Sequence, residues 1–590
     1  MMRALSVATV CMIILSMPMP ALAVKATASA TTRAPVVARF AVNQAGYVPG
    51  WPQHAVAIDL KPGAPVSLID VRNGATLRRW RATSSRVDPD SGMRVTALDL
   101  PALRPGRYLL RAQGVEPASL QVAPQALDAP VRSLLRAYFL QRCGVALNDA
   151  ETGLQHGPDH LDDGVLAHPD ALHPQPGALV VAIGGWHDAG DFGKYVATTS
   201  VTVGRLLSLY TGMPGQFADG QLNIPESGNG IPDILDETRV GLDWMLSMQR
   251  ADGALYRKVS GARWPEPITP DHDVQTRYVY GVSSPDTAKA AAAFALAARV
   301  YKPFAPALAA RYLDAAIAAW QWLGTVHTPQ YIDAYPGDDS GSGPYMASAI
   351  DREPSLMSDA DDRVWAAAEL WLTTGDEQYV RVIEREPALT ATLDVFEWKN
   401  PASLGLLHLL GAPADMRLPE PLRQRIGRAL QNAAGHAFAT SRSSGFELAN
   451  RRFVWGSNKL AAEEGVLLAT AYRYGGDPRF LRAATAQLDF VFGVNPFGLS
   501  FVSGVGERAV QHPAHLFGRV AGRPIPGLFV GGPNDEAQDG VAPRGLELLS
   551  YVDDARAYSV NEFAIDYNAS LLGLIGALQQ AQAERPRDRE

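Results

Sequence analysis

The sequence runs to 590 residues, 47% hydrophobic and 19% charged, with a net charge of −8. That is the balance of a folded chain long enough for several domains, not of a disordered one. It lacks the basic field that holds nucleic acid or an anionic membrane, so neither is expected as a partner.

The first residues read as an export signal. Arg3 is a positive n-region, Leu5 to Met17 an apolar run, and Ala21-Leu22-Ala23 a small-x-small cleavage site. The run is shorter than the roughly 20 residues that span a bilayer, and no later stretch is long and apolar enough. A leader of residues 1–23 and a soluble, secreted product (extracellular or periplasmic) are therefore expected. Only two cysteines occur, Cys11 in the leader and Cys143. A single remaining cysteine makes no internal disulfide, so stability must come from core burial or bound metal.

Residues 38–125 alternate short apolar runs (HAVAIDL, VSLIDV, GRYLLRA) with turn residues (KPGAP, RNGA, RPG). That spacing predicts a small β-sandwich, with Asn73-Gly74 as a hairpin turn. After Pro130 the texture becomes helical. VRSLLRAYFLQRCG, DTAKAAAAFALAARVY, DRVWAAAELWLTTG and NASLLGLIGALQQA carry apolar residues at helical spacing, and several such segments end at Gly. No fixed repeat period supports a solenoid, so a closed toroid of about twelve helices is predicted for residues 130–583. Long Gly- and Pro-rich loops at 252–285, 326–360 and 499–555 would build its functional face.

Two stretches carry chemistry. GGWHDAGDFGKYV, residues 184–196, holds Asp188 and Asp191 three residues apart. They are either solvated loop acids or a pair gripping one water. YVDDARAYSVNEFAIDYNA, residues 551–569, sets Glu562 among Tyr551, Tyr558, Phe563 and Tyr567. A carboxyl among aromatic rings loses hydration and holds its proton to higher pH, as a general acid must. The plainer role for a Glu at a helix start is to complement the helix dipole.

Taken together, the two stretches resemble the family 9 glycoside hydrolases, a cellulase family with an (α/α)6 barrel. Tyr551, Asp553, Tyr558, Glu562, Ala564, Asn568 and Ala569 match the fixed positions of the family's C-terminal signature, and GGWHDAGDFGKYV matches its base motif. FAVNQAGYVP (40–49) resembles the immunoglobulin-like module that precedes the barrel in one branch. IPESGNGIPDILDE, DRVWAAAELW, RFVWGSN and PGLFVGGPND follow in family order.

The resemblance implies an inverting endo-β-1,4-glucanase on cellulose or related β-glucans, with no organic cofactor. Asp191 would be the base, Asp188 its assistant and Glu562 the acid. Inverting enzymes keep the acid and base roughly 6.5–9.5 Å apart to admit the water. Trp186, Trp264, Trp365, Trp455 and Tyr558, in or beside the motif loops, are candidate sugar contacts, because pyranose rings stack on aromatic faces. So are His512 and His515, in a segment where the family's Pro-His-His-Arg is replaced by Pro513-Ala514-His515-Leu516. That departure keeps open an exo-acting β-glucosidase or β-glucosaminidase, and a non-catalytic carbohydrate-binding protein. Asp236, Glu237 and Asp286 match calcium ligands of some relatives. Zinc is not expected: Cys143, Asp159 and His160 make three ligands at most, and Lys194 stands where a further histidine would be sought. A monomer is expected.

Overall fold

The computed structural model describes residues 37–82, 85–261, 263–326 and 358–583; the expected leader and most of the 326–360 loop lie outside the described residues. From Arg39 the chain forms eight strands: β1 (Arg39–Ala41), β2 (His54–Ile58), β3 (Pro65–Asp70), β4 (Thr76–Arg81), β5 (Arg86–Val87), β6 (Arg94–Asp99), β7 (Gly106–Ala112) and β8 (Val115–Val122). They make two antiparallel sheets ordered β1-β2-β6-β5 and β4-β3-β7-β8. Along β3 the side chains alternate, and Val66 and Leu68 join Leu98, Leu110 and Leu120 in the core between the sheets. The β3–β4 turn contains Asn73-Gly74 as expected, but only Gly74 takes positive φ; Asn73 instead accepts a bond from the Ala75 N–H.

The rest is an (α/α)6 barrel. Its inner helices are Val196–Gly212, Ser284–Tyr301, Ala360–Thr374, Ala402–Leu410, Ser457–Gly475 and Ile565–Ala583. The first packs on the second, the second on the third, the third on the fourth, the fifth on the sixth, and the sixth back on the first. Glu420–Ser443, an outer helix, touches both the fourth and the fifth. Alanine makes this possible: residues 288, 290–293, 295 and 297 of the second inner helix are all buried alanines, letting three neighbouring helices approach. The base motif, the strand Arg277–Val282, Asp359, the turn 397–400, Trp455 and Glu562 each lie just before an inner helix. All six helix N-termini therefore share one face, whose aligned peptide dipoles favour negative charge.

The sandwich is sewn to the barrel by buried polar contacts. His54 Nδ1 lies 2.7 Å from Asp489 Oδ2, and Asn43 Nδ2 donates to Asp489 Oδ1 at 2.7 Å. The Gly445 N–H donates to Asp88 at 2.6 Å, and Arg451 pairs with Asp90.

Candidate active site

The loop 184–196 is held from both ends. Gly185 sits at φ 80° against the Trp244 ring, where a β-carbon would have no room. Beneath it the fully buried Lys194 donates to the carbonyls of Ala182 (2.7 Å) and Gly184 (2.9 Å) and pairs with Asp163 at 2.7 Å. Gln141 clamps the middle: its Nε2 donates to the Ala189 carbonyl at 2.9 Å, and its own carbonyl accepts the His187 N–H at 2.8 Å. Asp188 N–H closes the turn onto the Gly193 carbonyl at 2.8 Å.

The acid's segment is bonded directly to this loop. The Asp188 carbonyl accepts the Ile565 N–H at 2.8 Å, Ala189 bridges Ala564, and the Gly190 N–H donates to Glu562 Oε1 at 3.3 Å. The structure thus brings Asp188, Asp191 and Glu562 together. Burial pushes Asp191 up to about 6, restrained by the Gly193 backbone and by the positive charge of Arg277 and His187. Burial also drives Asp188 well above the carboxylate range, with Asp566 adding to the rise; Thr198, which donates to Asp188, opposes it. Glu562 is driven well above its range by burial and then by the two aspartates, with only the Gly190 N–H opposing.

The predicted aromatic and histidine contacts divide. Trp264 is 51% exposed and lines a recess of about 10 Å³ with Asp191, Arg263 and Arg277. Trp455 and Tyr558 face each other at 5.6 Å, and Tyr558, one helical turn before Glu562, is exposed. Trp186 and Trp365 are corrected: both are fully buried in the core. Trp186 packs on Tyr138 and donates to Glu237 at 2.8 Å; Trp365 packs edge-on against Phe396. His512 is exposed, its N–H held by Asp553 at 2.8 Å. His515 is corrected too, being buried behind the catalytic loop with Nε2 on Gln141 Oε1 at 2.9 Å and Nδ1 accepting the Gly518 N–H. Burial, then His187, lowers it to about 3, so it stays neutral and orients Gln141.

The altered segment keeps its backbone role. Ala514 N–H donates to the Asn561 carbonyl and Leu516 N–H to the Gly190 carbonyl, both at 2.8 Å. Only the side-chain chemistry of a histidine and an arginine is missing.

The calcium set is also corrected. Glu237 is occupied by Arg142 at 2.8 Å and by Trp186. Asp286 lies in the first turn of its own helix, where the capping Ser283 Oγ accepts the Asp286 N–H and donates to the Asp286 carboxylate. Tyr301 of that helix bonds the Leu235 carbonyl beside Asp236, which puts Asp286, fifteen residues away at 1.5 Å each, about 22 Å along the axis. Asp236 and Asp286 do not meet.

Zinc fares better than expected, because the missing ligand is His187. Cys143, Asp159, His160 and His187, all buried, each offer one donor atom, and these lie within 4.8 Å of one another. His187 Nε2 is 3.0 Å from Asp159 Oδ2 and 3.3 Å from His160 Nδ1, which is 3.7 Å from Cys143 Sγ. One sulfur, one oxygen and two nitrogens converging in this way fit tetrahedral zinc. Lys194 is not among them.

Sequence reasoning missed Gln141, Thr198 and the pair Lys459–Asp566 (3.0 Å) beside the acid's helix. Gln141 stood near the end of the quoted helical segment VRSLLRAYFLQRCG, beside Cys143.

The family model for glycosyl hydrolase family 9 matches residues 129–575, and that for the cellulase N-terminal ig-like domain matches residues 36–117. The chain belongs to glycosyl hydrolase family 9. It is 31% identical to endoglucanase C of Cellulomonas fimi, over 90% of this chain but 51% of that protein's length. A metagenome-derived family 9 endoglucanase superposes with a TM-score of 0.83 at 40% identity, covering 92% of this chain and 99% of that one. A zinc-binding triple mutant of the family 9 endoglucanase J30 does so with a TM-score of 0.83 at 33% identity, covering 90% and 99%.

Proposed function

We propose that the chain is an exported, inverting endo-β-1,4-glucanase acting on cellulose or a related β-glucan. The observation that carries this is the opposition of two differently tuned carboxyls, Asp191 at about 6 and Glu562 well above its range, joined through Gly190. Asp191 takes a proton from a water whose oxygen attacks the anomeric carbon. Asp188 accepts a hydrogen bond from the water's other O–H, which stays on the oxygen, and so aims its lone pair. Glu562 gives its proton to the glycosidic oxygen as that C–O bond breaks, and the new hydroxyl emerges on the opposite face. Trp264, Trp455 and Tyr558 offer rings to the flanking sugars.

Viscosity and new reducing ends, followed together on carboxymethyl cellulose, test the reading. A steep viscosity drop with few new ends is expected; many ends without a viscosity drop would overturn internal cleavage. That second outcome belongs to an exo-acting β-glycosidase, the alternative left open by Ala514 and Leu516 in the altered segment. Export is tested by activity in the culture fluid or periplasm of the producing cell.

Zinc at Cys143, Asp159, His160 and His187 would be structural, pinning the residue next to Asp188 to the segment 143–160. One zinc per purified chain is expected by elemental analysis. Its removal by a chelator is expected to lower Tm, since ligands brought together only by folding make metal binding part of folding free energy.

A further inference from the structure

The net charge of −8 hides a division between the sandwich and the rest of the chain. Residues 38–125 carry eleven lysines and arginines against six acids, a balance of +5, which leaves −13 on the other residues. Along β2, Ala55 and Ala57 face the sandwich core, yet His54, Val56 and Ile58 on the opposite side are buried too. The barrel therefore covers the outer face of the sheet β1-β2-β6-β5, where His54 meets Asp489 and Asp99, at the end of β6, meets Arg482 at 2.5 Å. The other sheet, β4-β3-β7-β8, turns its outer face to solvent.

That face is cationic. Val66, Trp80 and Leu110 point into the core, so strand alternation turns Arg79 of β4 and Arg107 and Arg111 of β7 outward, and all three are exposed. Arg79 and Arg111 both stand opposite Ser67 of β3, in one row across the sheet and about 10 Å apart at two strand spacings. Arg107 stands opposite Gln121 of β8, about 14 Å along β7 from Arg111. No acid of the sandwich shares the face. Asp88 and Asp90 are bonded to Gly445 and Arg451 of the barrel, Asp99 to Arg482, and Asp70 to Arg72 at 2.8 Å. Asp59 follows β2 in the other sheet, and Glu116 has the parity of Ala118 and Leu120, which pack inward.

The chemistry narrows the occupant. Guanidinium groups spread over an open sheet suit an extended polyanion, since a small ligand needs a concave pocket. Their forks match carboxylates two bonds at a time. Ser67, Ser119 and Gln121, on the same outward parity, add neutral groups that both give and accept hydrogen bonds. Carboxylates and hydroxyls together are what a polyuronate carries. Nucleic acid fits less well, because Trp80 and Tyr108, the aromatic residues of these strands, both pack inward and leave no ring for bases to stack on. A bilayer fits less well too, because the apolar Ile69 and Leu109 of this face are half-buried between strands rather than raised for insertion. We infer that the outer face of the sheet β4-β3-β7-β8 binds an acidic polysaccharide through Arg79, Arg107 and Arg111, mooring the enzyme while the barrel works on a neutral glucan. The use of such a mooring rests on the glucanase reading; the binding does not.

The test runs the full chain through electrophoresis gels cast with polygalacturonate or with neutral dextran. Retardation by polygalacturonate alone is expected, weakening about tenfold as salt rises from about 20 to 200 mM and counterions return. Arg79→Glu combined with Arg111→Glu is expected to weaken binding by about tenfold or more, with hydrolysis of cello-oligosaccharides unchanged. Arg107→Glu, at a separate exposed position, is expected to act in the same direction and serves if the double variant unfolds. Lys302→Glu with Arg385→Glu removes the same charge from exposed positions on the barrel and is expected to leave binding within about twofold. Equal retardation in both gels, or equal losses from the two double variants, would overturn the inference. So would tighter binding to vesicles containing phosphatidylglycerol, which would make the partner a bilayer. Self-association at low salt that needs Arg79 and Arg111 and that polygalacturonate does not compete away would make it a second copy of the chain. Hydrolysis plays no part in the binding measurement. A chain that is held by polygalacturonate and cleaves no β-glucan would therefore sink the proposed function and leave this face standing.

Discussion

Asp191 is buried and Glu562 half-buried, and the surroundings of the two carboxyls differ in kind. Asp191 has Arg277 and His187 close by and the Gly193 backbone bonded to it, and these hold it at about 6 against its burial. Glu562 faces two aspartates and receives one backbone N–H at 3.3 Å. The first sheds its proton near neutral pH and the second keeps it. One residue chemistry yields a base and an acid because the neighbouring charges push the two carboxyls in opposite directions.

The largest expected effect breaks that division outright. Glu562→Gln and Asp191→Asn should each cut hydrolysis of cello-oligosaccharides by about 10²–10⁴-fold, the worth of a positioned acid or base. They should part on a substrate with a nitrophenolate leaving group, which departs without a proton. There the Glu562 variant recovers most of its rate and the Asp191 variant none; equal recovery would mean the roles are not divided as described. The pH profile of kcat/KM sharpens the same contrast. Activity is expected to fall below about pH 6 as Asp191 takes up a proton, with the alkaline limb set by Glu562.

A smaller effect concerns stability. The folded state raises Asp191 above its ordinary 3.8, so the folded chain binds this proton more tightly than the unfolded one. Stability from this group is therefore full below about pH 4 and lost as pH rises to about 6, at an upper limit on the order of 2–3 kcal/mol. Asp191→Asn should raise Tm at pH 7 and leave it nearly unchanged at pH 4; a lower Tm at pH 7 would contradict the shift. The smallest effect lies at the recess. Trp264→Ala should raise KM about two- to tenfold, the worth of one stacking contact, with Tm unchanged. Trp365→Ala, a core change, should lower Tm.

The helical barrel and the sandwich were legible because apolar period and turn residues are local signals. So was the convergence of residues 188, 191 and 562, through the resemblance of their flanking motifs. The side of the chain on which a side chain falls was not. Trp186 and Trp264 both sit in motif loops, but a positive-φ glycine pair turns the first toward Glu237 and the core. The same turn hid His187, the fourth donor of the candidate zinc site, since a histidine next to the catalytic pair reads as part of the catalytic motif. Asp286 misled for another reason: a carboxylate in a helix cap and one in a metal site have the same local sequence, and only the length of the helix behind it separates them.

The bond from Gly190 to Glu562 spans 372 residues. Half of the site belongs to the entrance of the first inner helix and half to the entrance of the sixth, so no partial barrel has an acid to oppose its base. Hydrolytic competence is therefore a late property of the folding chain, gained only when the last inner helix docks against the first. A polypeptide still being synthesised would stay inert toward glycans, and a protease that nicked it before the ring closed would release nothing active.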